Sequence, residues 1–273
     1  MLHPFLALPT PIVIGHRGAA GDVPENTLAS FARALEDGAA ILESDVHLTR
    51  DLVPVLIHDG ELERCTDGAG LVRDHDLAAL RRLDAGYHFQ LEGSPSHPFR
   101  GRGLRIPTLA EALDAFPRTR FNLELKEQHP HMIERSVRVV ADAGRADDVL
   151  LTSANDALMA ELRTHVASTG VGVALGASTG EVARFAVAAW RGETPAPGPM
   201  ALQIPSEFAG RPLVTRELVA HAHRHHVQVH VWTIDEPAEM HALLDLGVDG
   251  IVTNYPARLA QLLATRAARA RTA

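Results

Sequence analysis

The chain has 273 residues, 46% of them hydrophobic, and its 26 Lys and Arg against 34 Asp and Glu give a formal net charge of −8. This length suits one large hydrophobic core, since a barrel of eight β/α units needs about 250 residues. The acidic balance argues against a nucleic-acid-binding protein, which usually presents a basic surface. We therefore expect a single domain over residues 1–273, with its core at about 12–264, and no nucleic-acid partner.

The single cysteine and the N-terminal sequence bear on the location of the chain. Cys65 has no partner for an intramolecular disulfide, which fits a reducing compartment. The opening MLHPFLALPTP contains no Lys or Arg and is interrupted by proline, unlike a signal peptide. No stretch approaches the ~18 uninterrupted apolar residues of a membrane-spanning helix. The expectation is a cytoplasmic chain without an integral membrane segment, whose oligomeric state the sequence leaves open.

Short apolar runs alternate with amphipathic segments along the chain. The predicted strands cover residues 12–15, 41–48, 53–57, 121–125, 149–152, 172–175, 201–204, 227–233 and 250–253. The predicted helices cover 26–36, 108–115, 132–143, 156–164, 179–190, 215–226 and 237–246, with a last helix over 258–273. This alternation is typical of an α/β fold in which crossover helices connect the strands of a parallel sheet.

Nine strands are one too many for a closed eight-stranded barrel. Residues 49–52 are too few for a crossover helix, so strand 53–57 should return antiparallel as a hairpin after the second strand. The remaining eight predict a (β/α)8 TIM barrel, with a flat doubly wound sheet as the alternative. Residues 59–105 break the repeat and are rich in Gly and Pro. We expect them to form an insertion near the barrel mouth, since loops of this length are often functional.

Two strands carry acidic side chains among apolar ones. Side chains alternate across a strand, so Glu43 and Asp45 share one face of the second strand. On strand 121–125, Glu124 faces inward together with Asn122, and Lys126 follows on the same face. Carboxylates in an apolar layer are costly unless neutralised. A cluster of ion pairs would neutralise them, and so would a hard divalent cation such as Mg²⁺ or Ca²⁺.

Two histidines fall at predicted strand ends, where the catalytic groups of such barrels collect. His16 and Arg17 follow the first strand, and His58 follows the return strand of the hairpin, so His58 should lie beside His16. The next segment, Pro-Glu-Asn-Thr, opens a helix for which Asn26 or Thr27 is the expected N-cap.

Several motifs in order resemble the glycerophosphodiester phosphodiesterase family. They are HRG followed after five residues by PENT, then ESDVHLTRDLVPVLIHD, NLELK, VWTIDEPAEM and LGVDGIVTNYP. The resemblance runs from Ile14 to about Pro256, and its paired motifs are highly specific. It implies a TIM barrel and metal-dependent hydrolysis of a glycerophosphodiester to sn-glycerol 3-phosphate and an alcohol.

The resemblance also implies roles for particular side chains: three metal ligands, an acid–base pair, two phosphate-binding cations and a wall for the glycerol. The implied metal ligands are Glu43, Asp45 and Glu124, and the implied acid–base pair is His16 and His58. Arg17 and Lys126 would bind the phosphate, and Trp232, at the end of the eighth-strand region, would be the wall. One departure is Leu52, which stands where the family usually has glycine after the Thr-x-Asp turn.

Other functions remain open on the sequence alone. A phospholipase-D-like enzyme of the same fold would act on intact lipids, but its relatives are secreted and disulfide-bonded. A catalytically inactive, metabolite-binding barrel is a second alternative. A sugar-phosphate isomerase is a third, but it would need a glycine-rich phosphate loop near the end of the chain, and this sequence has none there. The sequence also leaves open the head group, Mg²⁺ against Ca²⁺, which histidine is the acid, and a cyclic-phosphate route against direct attack by water.

Overall fold

The computed structural model describes residues 2–272 of the chain, with side chains described over residues 2–269. Its strands are β1 Ile12–Gly15, β2 Ile41–Leu48, β3 Pro54–Leu56, β4 Arg120–Leu125, β5 Val149–Thr152, β6 Ala174–Leu175, β7 Ala201–Pro205, β8 Glu207–Phe208, β9 Arg211–Pro212, β10 Gln228–Trp232 and β11 Gly250–Thr253. Eight of them form a parallel sheet in the order β6-β5-β4-β2-β1-β11-β10-β7. The backbone N–H of Met200 donates to the carbonyl of Leu175 at 2.9 Å, which joins the two ends of this order into a nearly closed barrel.

Helices follow the strands as the alternation predicts. They are α1 Leu28–Glu36, α2 Leu77–Leu80, α3 Leu109–Ala115, α4 Met132–Asp142, α5 Asp156–Thr169, α6 Thr179–Arg191, α7 Arg216–Arg224, α8 Pro237–Leu246 and α9 Pro256–Thr272. Several begin at side-chain caps that satisfy free backbone donors. Thr27 accepts from the N–H of Ser30 and is the N-cap of α1, whereas Thr108 and Ser178 form capping boxes with Glu111 and Glu181. Within residues 2–272, no helix has both the length and the apolar character needed to cross a membrane.

The predicted hairpin after the second barrel strand is confirmed. Strand β3 pairs antiparallel with β2, with His47 opposite Val55. The turn between them is tight, because Thr49 Oγ1 donates to Asp51 Oδ1 at 2.6 Å and accepts from the N–H of Val53 at 2.9 Å. Leu52 has φ +61° in this turn, a conformation that favours glycine. The chain therefore departs from the family pattern at a position whose backbone conformation favours glycine.

Apolar side chains pack on both sides of the barrel strands. Leu42, Val46, Leu123 and Leu125 point outward into the large core shared with the helices. Inside the barrel, a smaller cluster fills the amino-terminal end of the strands and is closed by Phe5 of the N-terminal segment. Because the amino-terminal end of the interior is apolar, polar side chains that point inward collect at the opposite, carboxyl-terminal mouth.

Residues 59–105 form the insertion that the sequence predicts. Its buried side chains, among them Leu62, Val72 and Leu80, pack with Val55 and Ile57 of the hairpin in a small core of their own. The inferred place of Trp232 was wrong in one respect. It ends β10, which is the seventh strand of the barrel in chain order and not the eighth, because β11 follows it.

Candidate active site

A cavity of about 280 Å³ opens at the carboxyl ends of the barrel strands. All eight side chains singled out in the sequence line it, contributed by the ends of β1, β2, β3, β4 and β10. They are His16, Arg17, Glu43, Asp45, His58, Glu124, Lys126 and Trp232. Catalytic groups of TIM barrels collect at this mouth, so the cavity is the candidate active site.

The turn that follows β1 places His16 and Arg17 over the mouth. Arg17 has φ +51°, and its backbone N–H donates to Glu43 Oε2 at 3.1 Å. At Gly18, φ is +88° and an added Cβ would lie 2.4 Å from Ser30 Oγ, so only glycine fits there. The glycine of the His-Arg-Gly motif is therefore required by the backbone that presents the other two residues.

His16 is held by a short chain of hydrogen bonds. Its Nδ1 lies 2.7 Å from Asn254 Oδ1, and Asn254 Nδ2 donates to Asp235 Oδ2 at 2.7 Å. A carboxylate can only accept, so the amide nitrogen of Asn254 must face Asp235 and its oxygen must face His16. Nδ1 of His16 consequently carries a proton, and Nε2, 4.0 Å from Glu43 Oε2, carries the lone pair.

Asp45 is buried at the centre of the site and is surrounded by donors. Lys126 Nζ lies 3.0 Å from Oδ1, while Arg17 Nε and Asn26 Nδ2 lie 3.3 and 3.1 Å from Oδ2. Asn26 has φ +55°, which asparagine tolerates better than most residues. Its Oδ1 also accepts from Ser44 at 2.6 Å. Asn26 is thus a hydrogen-bond donor to Asp45, and the N-cap of α1 is Thr27.

Glu43 is less well compensated than Asp45. Burial, together with repulsion from Asp45, raises the pKa of Glu43 well above its ordinary value, although Arg17 offsets part of this effect. On the neighbouring strand, Asn122 lies in register with Glu43, and its Oδ1 is buried with no hydrogen-bond partner among the described residues. This side of the cavity is therefore rich in oxygen acceptors and short of positive charge.

A divalent cation needs oxygen ligands, and three carboxylates at this site could supply them. Glu43, Asp45 and Glu124 lie on the adjacent strands β2 and β4, with Asp45 and Glu124 in register, and oxygen donors of this kind suit a hard cation. Lys126 Nζ lies between two of them, 2.8 Å from Glu124 Oε2. As placed in residues 2–272, no three His, Cys, Asp or Glu side chains converge on one point that could hold a metal ion. The donor chemistry fits, and binding would require these side chains to turn together.

His58 is the second ring in the cavity and is anchored differently from His16. Its Nδ1 lies 2.6 Å from Asp59 Oδ1, and Arg64 donates to both Asp59 and Glu25. Glu25 in turn accepts from Arg17 Nη1 at 3.0 Å. The insertion thus reaches the active site through Arg64, and a continuous set of ion pairs joins His58 to the HRG turn.

Local charges set the protonation of several of these groups. Burial, and then Arg17, lower the pKa of His16. Burial opposes the charges on Glu25 and Lys126, but ion pairing outweighs it in both. Arg64 and Arg17 lower the pKa of Glu25 to about 2, and the nearby carboxylates raise the pKa of Lys126. Near neutral pH, the His16 ring is therefore neutral, with its single ring proton on Nδ1.

The sequence did not predict a place in the site for five side chains that complete it, and one of them, Asn26, was expected only as a possible N-cap. They are Glu25, Asn26, Asp59, Asp235 and Asn254. Each stands inside a motif that was recognised, namely PENT, LIHD, TIDEP and TNYP. Polar residues that directly follow a barrel strand or open its helix were the signal that could have found them.

A TIM barrel with two anchored histidines, Arg17, Lys126 and a carboxylate cluster at its mouth is suited to acid–base chemistry on an anionic substrate, as in the class of enzymes that cleave phosphate esters. Comparison with known proteins agrees. The profile of the glycerophosphoryl diester phosphodiesterase family matches residues 16–258. The chain belongs to this family and is an enzyme of that class.

Individual relatives show the same relation. A glycerophosphodiester phosphodiesterase of Caldanaerobacter subterraneus is 31% identical over 92% of this chain and 97% of its own length. Another, of Bacillus subtilis, is 30% identical over 90% of this chain and 84% of its own length. Among solved structures, an Oleispira antarctica phosphodiesterase in complex with the product sn-glycerol-3-phosphate superposes with a TM-score of 0.73. It is 27% identical and covers 93% of this chain and 97% of that one. These are proteins to which the chain is similar along nearly its whole length.

Proposed function

We propose that this enzyme hydrolyses glycerophosphodiesters to sn-glycerol 3-phosphate and an alcohol, with His16 as general base and His58 as general acid. The observation that carries the proposal is that two histidines with differently anchored Nδ1 atoms share one cavity with Arg17 and Lys126. The product named for the Oleispira relative supports the choice of substrate class.

His16 is suited to accept a proton. The hydrogen bond to Asn254 leaves the lone pair on Nε2, and the lowered pKa of His16 keeps the ring neutral near pH 7. A base in this state can take a proton from a hydroxyl that attacks the phosphorus, which is typically worth about 10²–10⁴-fold in rate.

His58 is suited to donate a proton. The carboxylate of Asp59 accepts from its Nδ1–H, so the other ring nitrogen is free to protonate the oxygen of the departing alcohol. Burial opposes the charge on Asp59, but hydrogen bonds from Arg64 and His58 outweigh it and lower the pKa of the Asp59 carboxyl. Asp59 therefore remains an anion that accepts from the imidazole.

The charge of the phosphodiester must be offset for an anionic or neutral oxygen to approach it. Arg17 and Lys126 lie on either side of Asp45 and are the Arg and Lys side chains among the described residues that line the cavity. We propose that they bind the phosphoryl oxygens. We further propose Glu43, Asp45 and Glu124 as the residues that would hold one divalent cation, Mg²⁺ or Ca²⁺, which when bound supplies further positive charge to the phosphate.

Trp232 is proposed as a wall of the substrate site, since it lies at the cavity and is 44% exposed. The aromatic face can cover the carbon atoms of the glycerol. We also propose that residues 1–273 act as one domain in this reaction. The cytoplasmic location stays a prediction.

The test measures release of sn-glycerol 3-phosphate from glycerophosphocholine and glycerophosphoethanolamine, with EDTA, Mg²⁺ or Ca²⁺. We expect turnover that EDTA abolishes and a divalent cation restores. His16→Ala should lower kcat by about 10²–10⁴-fold, whereas His131→Ala, at an exposed position before α4, should not. A folded wild-type protein with no turnover of either substrate would favour the metabolite-binding alternative. Release of a head group from an intact two-chain lipid would favour the phospholipase-D-like one.

A further inference from the structure

A second cavity, of about 260 Å³, lies beside the catalytic one. Side chains from β7, α6 and the β8–β9 hairpin line it, together with the residues that follow β5 and β6. The apolar members include Ala177, Val182, Ile204, Phe208 and Leu213. Nothing in the proposed hydrolysis of a small, water-soluble diester uses these side chains.

The two cavities adjoin. Both are lined by Glu124, Thr152, Ala154, Gln203 and Trp232, so a ligand in the catalytic cavity lies next to the second one. A phosphate placed between Arg17 and Lys126 would therefore have an apolar space next to it, on the side of the barrel away from the insertion.

Gln203 marks the junction between the cavities. Its Nε2 and Oε1 are both buried and have no hydrogen-bond partner within the described chain. The space for this amide depends on Gly176, where an added Cβ would lie 2.6 Å from Gln203 Oε1. Buried amides are normally satisfied, so at the junction the NH₂ group of Gln203 can donate to a polar group of a ligand and its oxygen can accept from one.

Two large apolar side chains lie exposed at the outer rim of the second cavity. Phe208 is 67% exposed and Trp232 is 44% exposed, and exposed large apolar side chains grouped at a cavity indicate binding. The β8–β9 hairpin holds Phe208 in this position through a tight turn in which Ala209 and Gly210 have φ of +51° and +71°. The rim is thus a defined feature of the barrel mouth.

We propose that the second cavity binds a hydrocarbon chain that is covalently part of the phosphodiester substrate, so that diesters with such a chain are better substrates than those without it. The inference rests on the proposed function, because it requires the phosphate to lie in the catalytic cavity. The reaction is unchanged: water supplies a hydroxyl to phosphorus, the P–O bond to the alcohol breaks, and the alcohol leaves with a proton. Gln203 then bonds the polar atoms between phosphate and chain.

Two substrate types share this chemistry, and their products distinguish them. In one, the chain is on the alcohol, as in a glycerophospho-n-alkanol, and hydrolysis releases the alkanol. In the other, the chain is on the glycerol, as in a single-chain lysophospholipid, and hydrolysis releases a phosphomonoester that keeps the chain. Product analysis by mass identifies which of the two fills the cavity.

The experiment compares kcat/KM for both series as the chain grows from two to eight carbons, below the concentration at which micelles form. Burial of a methylene stabilises a complex enough to predict a rise of about fourfold per methylene until the cavity is full. The rise should appear in one of the two series. Turnover of glycerophosphoethanolamine with no rise in either series would overturn the inference and leave the proposed function standing.

Variants on one helix provide a matched pair. Val182→Phe places a larger side chain in the cavity and should remove most of the rise with chain length, whereas Val187→Phe, at a 47% exposed position of α6, should preserve it. Val182 is partly buried against the core, so its variant could lose stability. Phe208→Ser changes an exposed side chain of the rim and should reduce the rise without that risk. A full rise in both Val182→Phe and Phe208→Ser would contradict the proposal.

A binding measurement keeps the inference testable without turnover. The chain has two tryptophans, and Trp190→Phe leaves Trp232, at the junction, as the only one. Titration of this variant with n-alkyl phosphates should shift the emission of Trp232 to shorter wavelength, with an affinity that rises about fourfold per methylene. Such binding without hydrolysis of any diester would refute the proposed function alone. Affinity independent of chain length would refute the inference.

Discussion

At the residue scale, the orientation of His16 depends on side chains that do not line the catalytic cavity. Asp235 accepts from Asn254 Nδ2 at 2.7 Å and also from the backbone N–H of Asn254 at 2.8 Å. Thr253 Oγ1 donates to the same carboxylate at 2.9 Å. Asp235 is therefore a positioning residue that selects which nitrogen of His16 carries the proton.

We predict that Asp235→Asn weakens this selection, because an amide in place of the carboxylate lets the side chain of Asn254 reverse. Outer partners of this kind are typically worth about 10–100-fold, and we expect a loss of that size in kcat with little change in KM. ¹⁵N NMR of the imidazole should show His16 moving from a single Nδ1–H tautomer to a mixture. Asp245→Asn removes an exposed ion pair with Arg266 and serves as the control. An unchanged tautomer with lowered kcat would mean that Asp235 acts in another way.

Cys65 gives a second prediction at this scale. Burial, and then the charge of Glu25, raise the pKa of the Cys65 thiol to about 12. Since the thiolate is the reactive form, iodoacetamide at pH 8 should modify the native protein at least about tenfold more slowly than the urea-unfolded chain. Mass spectrometry over time measures both rates. Equal rates would show that Cys65 is more accessible and more acidic than its surroundings indicate.

At the scale of single elements, the β2–β3 hairpin contains an unfavourable backbone angle. Leu52 has φ +61° and its side chain packs against the main core. The left-handed region costs a residue with a Cβ about 1–2 kcal/mol, whereas glycine adopts it without that cost.

We therefore predict an inverted order of stability at this position. Glycine usually destabilises relative to alanine by roughly 0.5–1 kcal/mol. Here Leu52→Ala loses the packing of the side chain and keeps the strained angle, whereas Leu52→Gly loses the same packing but relieves the angle. The alanine variant should therefore be less stable than the glycine variant by about 1 kcal/mol. Urea unfolding of both variants measures the difference, and alanine more stable than glycine would contradict the prediction.

The strands and the local site could be predicted from sequence because both follow from short-range patterns. Strand β2 was predicted with its observed bounds, and the alternation along it put Glu43 and Asp45 on the inner face. The bond between His16 and Asn254 could not be predicted in this way, since it joins residues 238 positions apart and exists only because β1 pairs with β11. The strand number of Trp232 was wrong because the hairpin strand interrupts the count.

At the scale of the whole molecule, His230 links folding to pH. It lies fully buried in β10, with Nε2 3.0 Å from Gln228 Oε1, and burial lowers its pKa from 6.5 to about 4. Because the folded pKa lies below the unfolded one, the unfolded chain binds the proton more readily. The stabilisation is complete above about pH 6.5 and is lost as the pH falls towards 4.

The pKa shift of His230 predicts a loss of about 3 kcal/mol in the free energy of unfolding across this range. His230→Leu removes the titrating group, so its stability should fall less steeply between pH 6.5 and pH 4 than that of the wild type. The slope is the test, because the substitution also changes packing. Urea unfolding at several pH values gives both slopes, and parallel slopes would exclude His230 as the source.

The junction between β6 and β7 has a consequence for how this barrel could be rearranged. Those two strands share no ladder in residues 2–272 and meet through the bond from Met200 to Leu175. The sheet is therefore a curved ribbon whose two end strands meet, and the mostly exposed loop over residues 193–199 leads from α6 into β7, one of those two strands. A circular permutant with new termini in that loop would follow a boundary already present in the hydrogen bonding. The apolar cavity borders the same gap, so the least tightly paired part of the barrel wall is also the part beside which a long substrate would lie.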